Sequence, residues 1–249
     1  MPTHPSGRAH GAALVTVLFL MLAVLMMSVS GTRAALAAVK SARHERDRHI
    51  AHHAAQAALR DAERDIAGAA GAASPRTAIF VAAQASAFIA ECAGAGEHAG
   101  LCRFVPAPGT PAWQAADLAG AASVEYGRFT GATMPTGAGL LPARPPRYIV
   151  ELLAGAVPSA EPGPEPGPEP AAEPGPAPGS APDSESRPEP GSNPGIGPIY
   201  RITAIGFGAG EATRVVLQAY YRRATAATPA QRLGWREVAN WPELHAATL

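Results

Sequence analysis

The chain has 249 residues, equal numbers of acidic and basic side chains, and 26 each of glycine and proline. Aromatic residues make up only 6% of it, so few large side chains are available for a core and less folded mass is expected than the length would allow. No region has the dense lysine and arginine face typical of nucleic-acid-binding proteins, and we expect no nucleic-acid partner.

Residues 12–29 form an apolar run of eighteen residues whose only polar side chains are Thr16 and Ser28. This length suits a membrane-spanning helix and exceeds the apolar core of about 7–15 residues in a cleaved secretory signal. We therefore predict a transmembrane segment over residues 12–30. The small residues around Ser28 and Ser30 would also suit signal peptidase, and a conventional cleaved signal remains an alternative.

Charges flanking the apolar run argue against an exported C-terminal domain. Arg8 is the only basic residue before the run, whereas Arg33, Lys40 and Arg43 follow it. The positive-inside rule alone would place the rest of the chain in the cytoplasm. The downstream features described below outweigh that rule.

The helix is predicted to continue far beyond the membrane, over residues 12–72. No proline occurs between Pro5 and Pro75, and residues 32–67 are rich in good helix formers. Apolar residues recur there at spacings of four, four, three and four, which is one helical stripe: Ala51, Ala55, Leu59, Ala62 and Ile66. We expect a globular domain to pack on this stripe.

Two cysteines, Cys92 and Cys102, are separated by nine residues. In an exported chain we expect them to form a disulfide, which would stabilise the fold by roughly 3 kcal/mol in the chain-entropy model. Two separate buried thiols are the alternative. The spacing and surroundings of the two cysteines do not suit a zinc site.

Three segments are predicted to form antiparallel strands: residues 147–154, 199–207 and 212–223. Side chains alternate between the faces of a strand, so Tyr148, Val150 and Leu152 share one face of the first. The second strand is apolar on both faces towards its end, which favours a central position. Packed against residues 50–66, these strands predict an α+β fold in which a long N-terminal helix lies on a small antiparallel sheet.

Residues 158–198, between the first two strands, contain fourteen prolines, repeat the unit EPGP, and carry seven acidic residues against one arginine. No core can form from this composition, which predicts a disordered, extended loop. We favour a tolerated insertion over a spacer or partner-binding segment. The tail, residues 224–249, contains Trp235 and Trp241, and could close over the sheet edge or contact a neighbour.

No catalytic, cofactor or metal site is predicted. His49 and His53 stand at i and i+4, but no carboxylate or cysteine completes a defined metal site, and histidines are common on solvated helix faces. Asp61 and Glu63 are predicted to be surface charges of the helix. No pattern typical of a nucleophile, phosphate-binding loop or paired-carboxylate enzyme occurs, and we expect no enzymatic activity.

Taken in order, the motifs resemble type IV pilins, and specifically the PilX-type minor pilins. A short leader ends at Gly11, the apolar segment follows, and the helix continues as DRHIAHHAAQAALRDAERDI (47–66). Further similarity lies at GLC (100–102), PAWQAADL (111–118), PRYIVELL (146–153), YRITAIGFG (200–208) and VVLQAYYRR (215–223). The resemblance spans the chain and is interrupted by the proline-rich stretch.

The resemblance implies a processing event and a location. Prepilin peptidase would cut between Gly11 and Ala12 on the cytoplasmic side, and Ala12 would be N-methylated. The apolar segment would remain as an inner-membrane anchor with the C-terminal domain in the periplasm, before entry into the pilus. Gly11 as a mere small linker residue is the alternative.

The resemblance also implies partners: prepilin peptidase, other minor pilins, the major pilin and, as a further candidate, a large tip adhesin. Major pilins carry a glutamate at the fifth mature position, thought to neutralise a neighbour's amino terminus, whereas this chain has Thr16. A buried carboxylate is costly without a partner, so a subunit without one suits the filament tip. The K-type pseudopilins of type II secretion share this absence.

Two alternative functions remain. One is a K-like pseudopilin, which usually carries an extra helical domain that this sequence does not indicate. The other is a signal-anchored periplasmic binding module unrelated to filaments. The predicted organisation is a leader (1–11), a long helix (12–72), a globular region with the first strand (73–157), the proline-rich loop (158–198) and the C-terminal strands with the tail (199–249).

Overall fold

The computed structural model describes residues 10–68, 76–154 and 197–248. The chain divides into two compact units, residues 1–49 and 50–249. Most of the predicted leader lies outside the described residues, as does the predicted proline-rich loop apart from Gly197 and Pro198.

Helix α1 (His10–Ala67) makes up all of the described part of the first unit and begins the second. It contains a stretch long and apolar enough to cross a membrane. The described helix ends at Ala67, where Gly68 has a left-handed φ of 71° and donates its backbone N–H to the carbonyl of Arg64 at 3.0 Å. Glycine in this conformation commonly terminates a helix. The predicted extension to residue 72 runs into residues that the structure does not describe.

A six-stranded sheet forms the centre of the second unit. Its strands are β1 (Leu101–Cys102), β2 (Val124–Glu125), β3 (Arg147–Ala154), β4 (Ile199–Phe207), β5 (Arg214–Arg222) and β6 (Gln231–Glu237). The order is β1-β3-β4-β5-β6, and β2 pairs beside β1 on β3. All pairings are antiparallel except that of β1 with β3. The α+β layout and its three main strands are confirmed, with the third running over 214–222.

Short helices and irregular segments connect these strands. They include α2 (Thr77–Ala82), α3 (Ala112–Ala115) and α4 (Trp241–Ala246). The first part of the tail forms β6, which extends the sheet next to β5. The second part forms α4, which packs against α3, and the indole N–H of Trp241 donates to the carbonyl of Trp113 at 3.2 Å. Neither β6 nor α4 was predicted from the sequence.

The two faces of the sheet carry separate hydrophobic cores. One face packs on α1 and joins the predicted stripe, every member of which is at most 1% exposed, to side chains of the three main strands: Tyr148, Val150, Leu152, Tyr200, Ile202 and Ala204. The other face holds Ile205 and Phe207 with Trp113, Trp241 and both cysteines. The predicted alternation and the central position of β4 are therefore confirmed.

The contact between β4 and α1 depends on a missing side chain. A Cβ atom at Gly206 would lie 2.1 Å from the carbonyl oxygen of Ala51 and 2.4 Å from the backbone nitrogen of Ala55. These distances are far shorter than van der Waals contact. The strand and the helix therefore touch backbone to backbone, which requires glycine on the strand and alanine on the helix.

Candidate assembly elements

The N-terminal part of α1 exposes a continuous apolar surface. Its thirteen large apolar side chains between Leu14 and Val29 are each 49–76% exposed. A soluble monomer rarely leaves so large an apolar surface in water. This segment therefore needs lipid or other apolar helices around it.

Polar side chains in and just beyond this segment find their partners on the helix itself. The hydroxyl of Thr16 donates to the carbonyl of Ala13 at 2.8 Å, and that of Ser28 donates to the carbonyl of Val24 at 2.8 Å. Thr32 donates to the carbonyl of Ser28 at 2.9 Å. In hydrocarbon an unpaired polar group costs several kcal/mol, and these back-bonds remove that cost without any partner molecule.

The predicted processing site lies at the start of this helix. Gly11 and Ala12 both belong to the first turn of α1, which begins at His10. The bond between them remains a predicted cleavage site. The predicted fifth mature residue, Thr16, is uncharged and about one helical turn beyond Ala12.

A buried ionic cluster joins the second part of α1 to the rest of its unit. Arg76 is fully buried, and its Nε donates to Oδ2 of Asp65 at 3.0 Å. Its Nη1 donates to the carbonyl of Ala99 at 2.5 Å, and Nη2 also contacts Asp65. The hydroxyl of Tyr148 donates to the same carboxylate at 3.1 Å. Burial, together with the negative charge of Asp65, raises the pKa of Tyr148 well above its usual value.

Asp61 is a second buried carboxylate, one helical turn earlier. It accepts the backbone N–H of Gly127 at 2.7 Å and the hydroxyl of Thr130. Gly127 has a φ of 79°, and a Cβ there would lie 1.8 Å from the carbonyl oxygen of Ala132. The prediction that Asp61 is a surface charge is wrong, because this tight turn folds over its carboxylate.

Glu63 is also engaged, although it lies on a different side of the helix. Nε and Nη2 of Arg232 on β6 donate to its two carboxylate oxygens at 2.5 and 2.9 Å. The glutamate side chain is 18% exposed and the arginine 31%. Glu63 is therefore not the free surface charge predicted, and it joins α1 to the sheet edge.

A sequence signal for the buried carboxylates existed. Asp61 and Asp65 directly precede the stripe residues Ala62 and Ile66 and are four residues apart, so they share one flank of the buried face. Carboxylates are rarely buried unless they are paired, and the composition of the stripe gives no sign of the donors. Those donors come from residues 11 to 83 positions away.

Cys92 and Cys102 form a disulfide bond, and both are fully buried. The bond joins the segment before β1 to β1 itself, within the core on the sheet face remote from α1. Among the described residues, no group of three metal-ligating side chains occurs. His49 contacts Glu45 at 3.1 Å, and the rings of His52 and His53 contact each other.

Comparison with known families gives two matches, in chain order. The PilX N-terminal family matches residues 10–60, and the type IV pilus assembly protein PilX C-terminal family matches residues 92–223, more than half of the chain. This chain belongs to the PilX family of type IV pilus assembly proteins. The resemblance identified from the sequence is thereby confirmed. No curated protein and no solved structure is detectably similar to it.

The two PilX matches divide the structural features between them. The N-terminal match covers the apolar segment and most of the stripe, and ends one residue before Asp61. The C-terminal match includes the disulfide and strands β1 to β5. It ends at Arg223, before β6. Members of the family are structural components of pilus assembly, and a membrane-anchored helix fits that class.

Proposed function

We propose that this PilX-family chain is a minor pilin that prepilin peptidase cleaves between Gly11 and Ala12, and that it initiates or caps the type IV pilus at the filament tip. The observation that carries the proposal is the apolar segment that begins at Ala12 and has a threonine, Thr16, rather than a carboxylate at its fifth residue. In this reading the segment stays on the mature protein, first as a membrane anchor and then among other pilin helices.

Thr16 supports the tip position through its hydrogen bond. Its hydroxyl is already paired with the carbonyl of Ala13, so it neither requires a partner nor offers a counter-charge. A glutamate in an apolar filament core would need a neighbouring amine, because an unpaired buried charge is strongly destabilising. A subunit with threonine is suited to a position where no such pairing is made.

The processing step is tested by mass spectrometry of the N terminus of protein purified from its native host. We expect a chain that begins with methylated Ala12. A chain that begins near Gly31 would support the exported binding module, and a chain that retains Met1 would contradict the proposal.

Variants sharpen this test. Gly11→Val should block cleavage, since a branched side chain would obstruct a protease acting beside the membrane. Gly7→Val, in the same leader but away from the bond, serves as the control and should be processed normally. Equal processing of both variants would argue against a role for Gly11.

The position in the filament is tested by gold labelling of a C-terminal epitope on sheared pili. We expect label at filament ends only, and loss of most pili when the chain is deleted. Uniform decoration of the shaft would rule out the tip position. Normal pili together with a protein-secretion defect would instead favour the K-like pseudopilin.

A further inference from the structure

We propose that strand β6 is a docking edge at which an extended strand from a neighbouring pilus subunit adds to the sheet. The identification of the partner as a pilus subunit rests on the proposed function. The surface itself follows from contacts of Gln231–Glu237, which lie beyond the part of the chain matched by the PilX C-terminal family.

Among the described residues, the outer edge of β6 has no paired strand. Within residues 10–68, 76–154 and 197–248, β6 forms its ladder with β5 alone, from Leu217 opposite Glu237 to Arg222 opposite Gln231. The edge strand at the other end of the sheet, β1, has only two residues. A seven-residue edge strand presents a row of backbone donors and acceptors that another strand can pair with.

The two arginines of this edge are hydrogen-bonded to other residues of their own chain. Arg232 is bound to Glu63, and Nε and Nη2 of Arg236 both donate to Oε1 of Gln218, at 3.1 and 2.9 Å. Gln231 accepts a hydrogen bond from Arg222 at 3.1 Å. Charged side chains protect an edge when they extend from it into solvent. Here Arg232 is paired with the carboxylate of Glu63, whereas Arg236 is exposed and hydrogen-bonded to the neutral amide of Gln218.

Between these arginines the strand is uncharged and exposed. Leu233 is 47% exposed and Trp235 is 52% exposed, with Gly234 between them. The ring of Trp235 lies 6.1 Å from that of His52 on α1 in an edge-to-face arrangement. The indole is thus oriented by its own chain before any partner arrives, which lowers the entropy cost of using it as an anchor.

Gly234 lies opposite Tyr220 on β5, and the register of the ladder between β5 and β6 shifts beside this pair, between Tyr220 and Tyr221. A Cβ there would meet no atom within 4 Å, and its φ is not in the left-handed region. Glycine inside a strand costs roughly 0.5–1 kcal/mol relative to alanine. Such a glycine often marks a place where another backbone approaches closely or where a cross-strand aromatic ring covers the gap.

The occupant is therefore a strand of another subunit. Residues 158–198 of this chain are poorly suited, since they contain fourteen prolines, which cannot donate to a ladder. A second copy is not expected where one subunit occupies the tip. The matching partner strand is uncharged opposite 233–235 and places an aromatic or β-branched side chain over Gly234.

The test uses the full-length chain in native membranes that contain the other pilins, with an epitope for purification. Gly234→Val and Trp235→Lys should each reduce the co-purified pilin subunits by about tenfold or more, as for a central interface residue. Leu140→Lys, at an apolar side chain outside β6 that is 63% exposed, is the control and should retain them. All three variants should keep the melting temperature of the parent chain.

A photo-crosslinking side chain at position 233 identifies the occupant directly. A cross-link to a strand of a different pilin supports the inference. Cross-links to a second copy or to residues 155–196 of the same chain would overturn it, as would full retention of pilins by both β6 variants. The two proposals can fail separately. If the β6 variants retain their partners, the docking edge is wrong. The proposed function still stands in that case, provided that Ala12 is methylated and the label remains at the filament tip.

Discussion

At the scale of single residues, buried charges on α1 join the helix to the rest of its domain. Asp61 and Asp65 are fully buried, each with donors from a distant part of the chain, and Arg76 is buried with Asp65. A buried ion pair adds little net stability relative to an apolar pair of the same shape. Removal of one partner, however, leaves an uncompensated charge in the core.

Arg76→Met should therefore destabilise the chain by about 3–5 kcal/mol, since it leaves Asp65 without its counter-charge. The measurement is the free energy of unfolding in denaturant, with the full chain in detergent micelles. The double variant Asp65→Asn/Arg76→Met should recover much of the loss, and Arg60→Met at an exposed position of the same helix should cost less than about 0.5 kcal/mol.

Buried tyrosines predict a loss of stability at alkaline pH. Burial raises the pKa of Tyr148, Tyr200 and Tyr221 above the ordinary value near 10, and carboxylates add to this for Tyr148 and Tyr221. Because the folded-state pKa values are raised, their stabilisation is fully present below about pH 10 and is lost as pH rises above it.

The expected slope is up to about 1.4 kcal/mol per pH unit for each such tyrosine. Free energies of unfolding between pH 9 and 11.5 measure it, and the chain's one lysine, Lys40, adds little to the titration. Tyr200→Phe removes one of the three titrating groups and should lower the slope of stability against pH accordingly. The variant also loses the hydrogen bond to the Phe80 carbonyl, which lowers stability at every pH but does not add to the slope. A constant stability over this range would contradict the prediction.

At the scale of elements, the helix stripe and the three main strands could be predicted because their apolar periodicity is local. β6 could not, since its sequence QRLGWRE has no alternating pattern and only its pairing with β5 makes it a strand. The surface assignments of Asp61 and Glu63 failed for a related reason. Their partners lie 66 to 169 positions away, and one helix's composition does not reveal them.

The backbone contact between β4 and α1 predicts a specific sensitivity. Gly206→Ala should destabilise the domain by about 1–3 kcal/mol, because the added methyl group would overlap the Ala51 carbonyl and push the strand from the helix. Thermal unfolding of the full chain in detergent measures the effect. Gly234→Ala, at a strand glycine with open space around its Cβ position, is the control and should unfold no earlier than the parent.

At the scale of the whole molecule, the long connection between β3 and β4 does not set their register. The ladder from Arg147 opposite Ile205 to Ala154 opposite Ile199 does so, with one bulge near Leu152. The side chains along it belong to the two cores, so the pairing is specified by burial on both faces.

Deletion of residues 160–195 should leave folding and pilus assembly intact. Residues 155–159 and 196–198 would still connect the two strands, and hairpin loops commonly need only about two to five residues. Melting temperature and the number of surface pili are the measurements. Loss of pili from a stably folded deletion variant would show that the segment has a function of its own.

The contacts between α1 and the sheet impose an order on biogenesis. Glu63 meets Arg232 across 169 positions, and Asp65 meets Tyr148 across 83. Such long-range contacts form late and slowly. The apolar stem can thus enter the bilayer well before translation supplies the strands that shield the alanine stripe. Until those last residues emerge, the stripe has no sheet to cover it and is exposed to premature association.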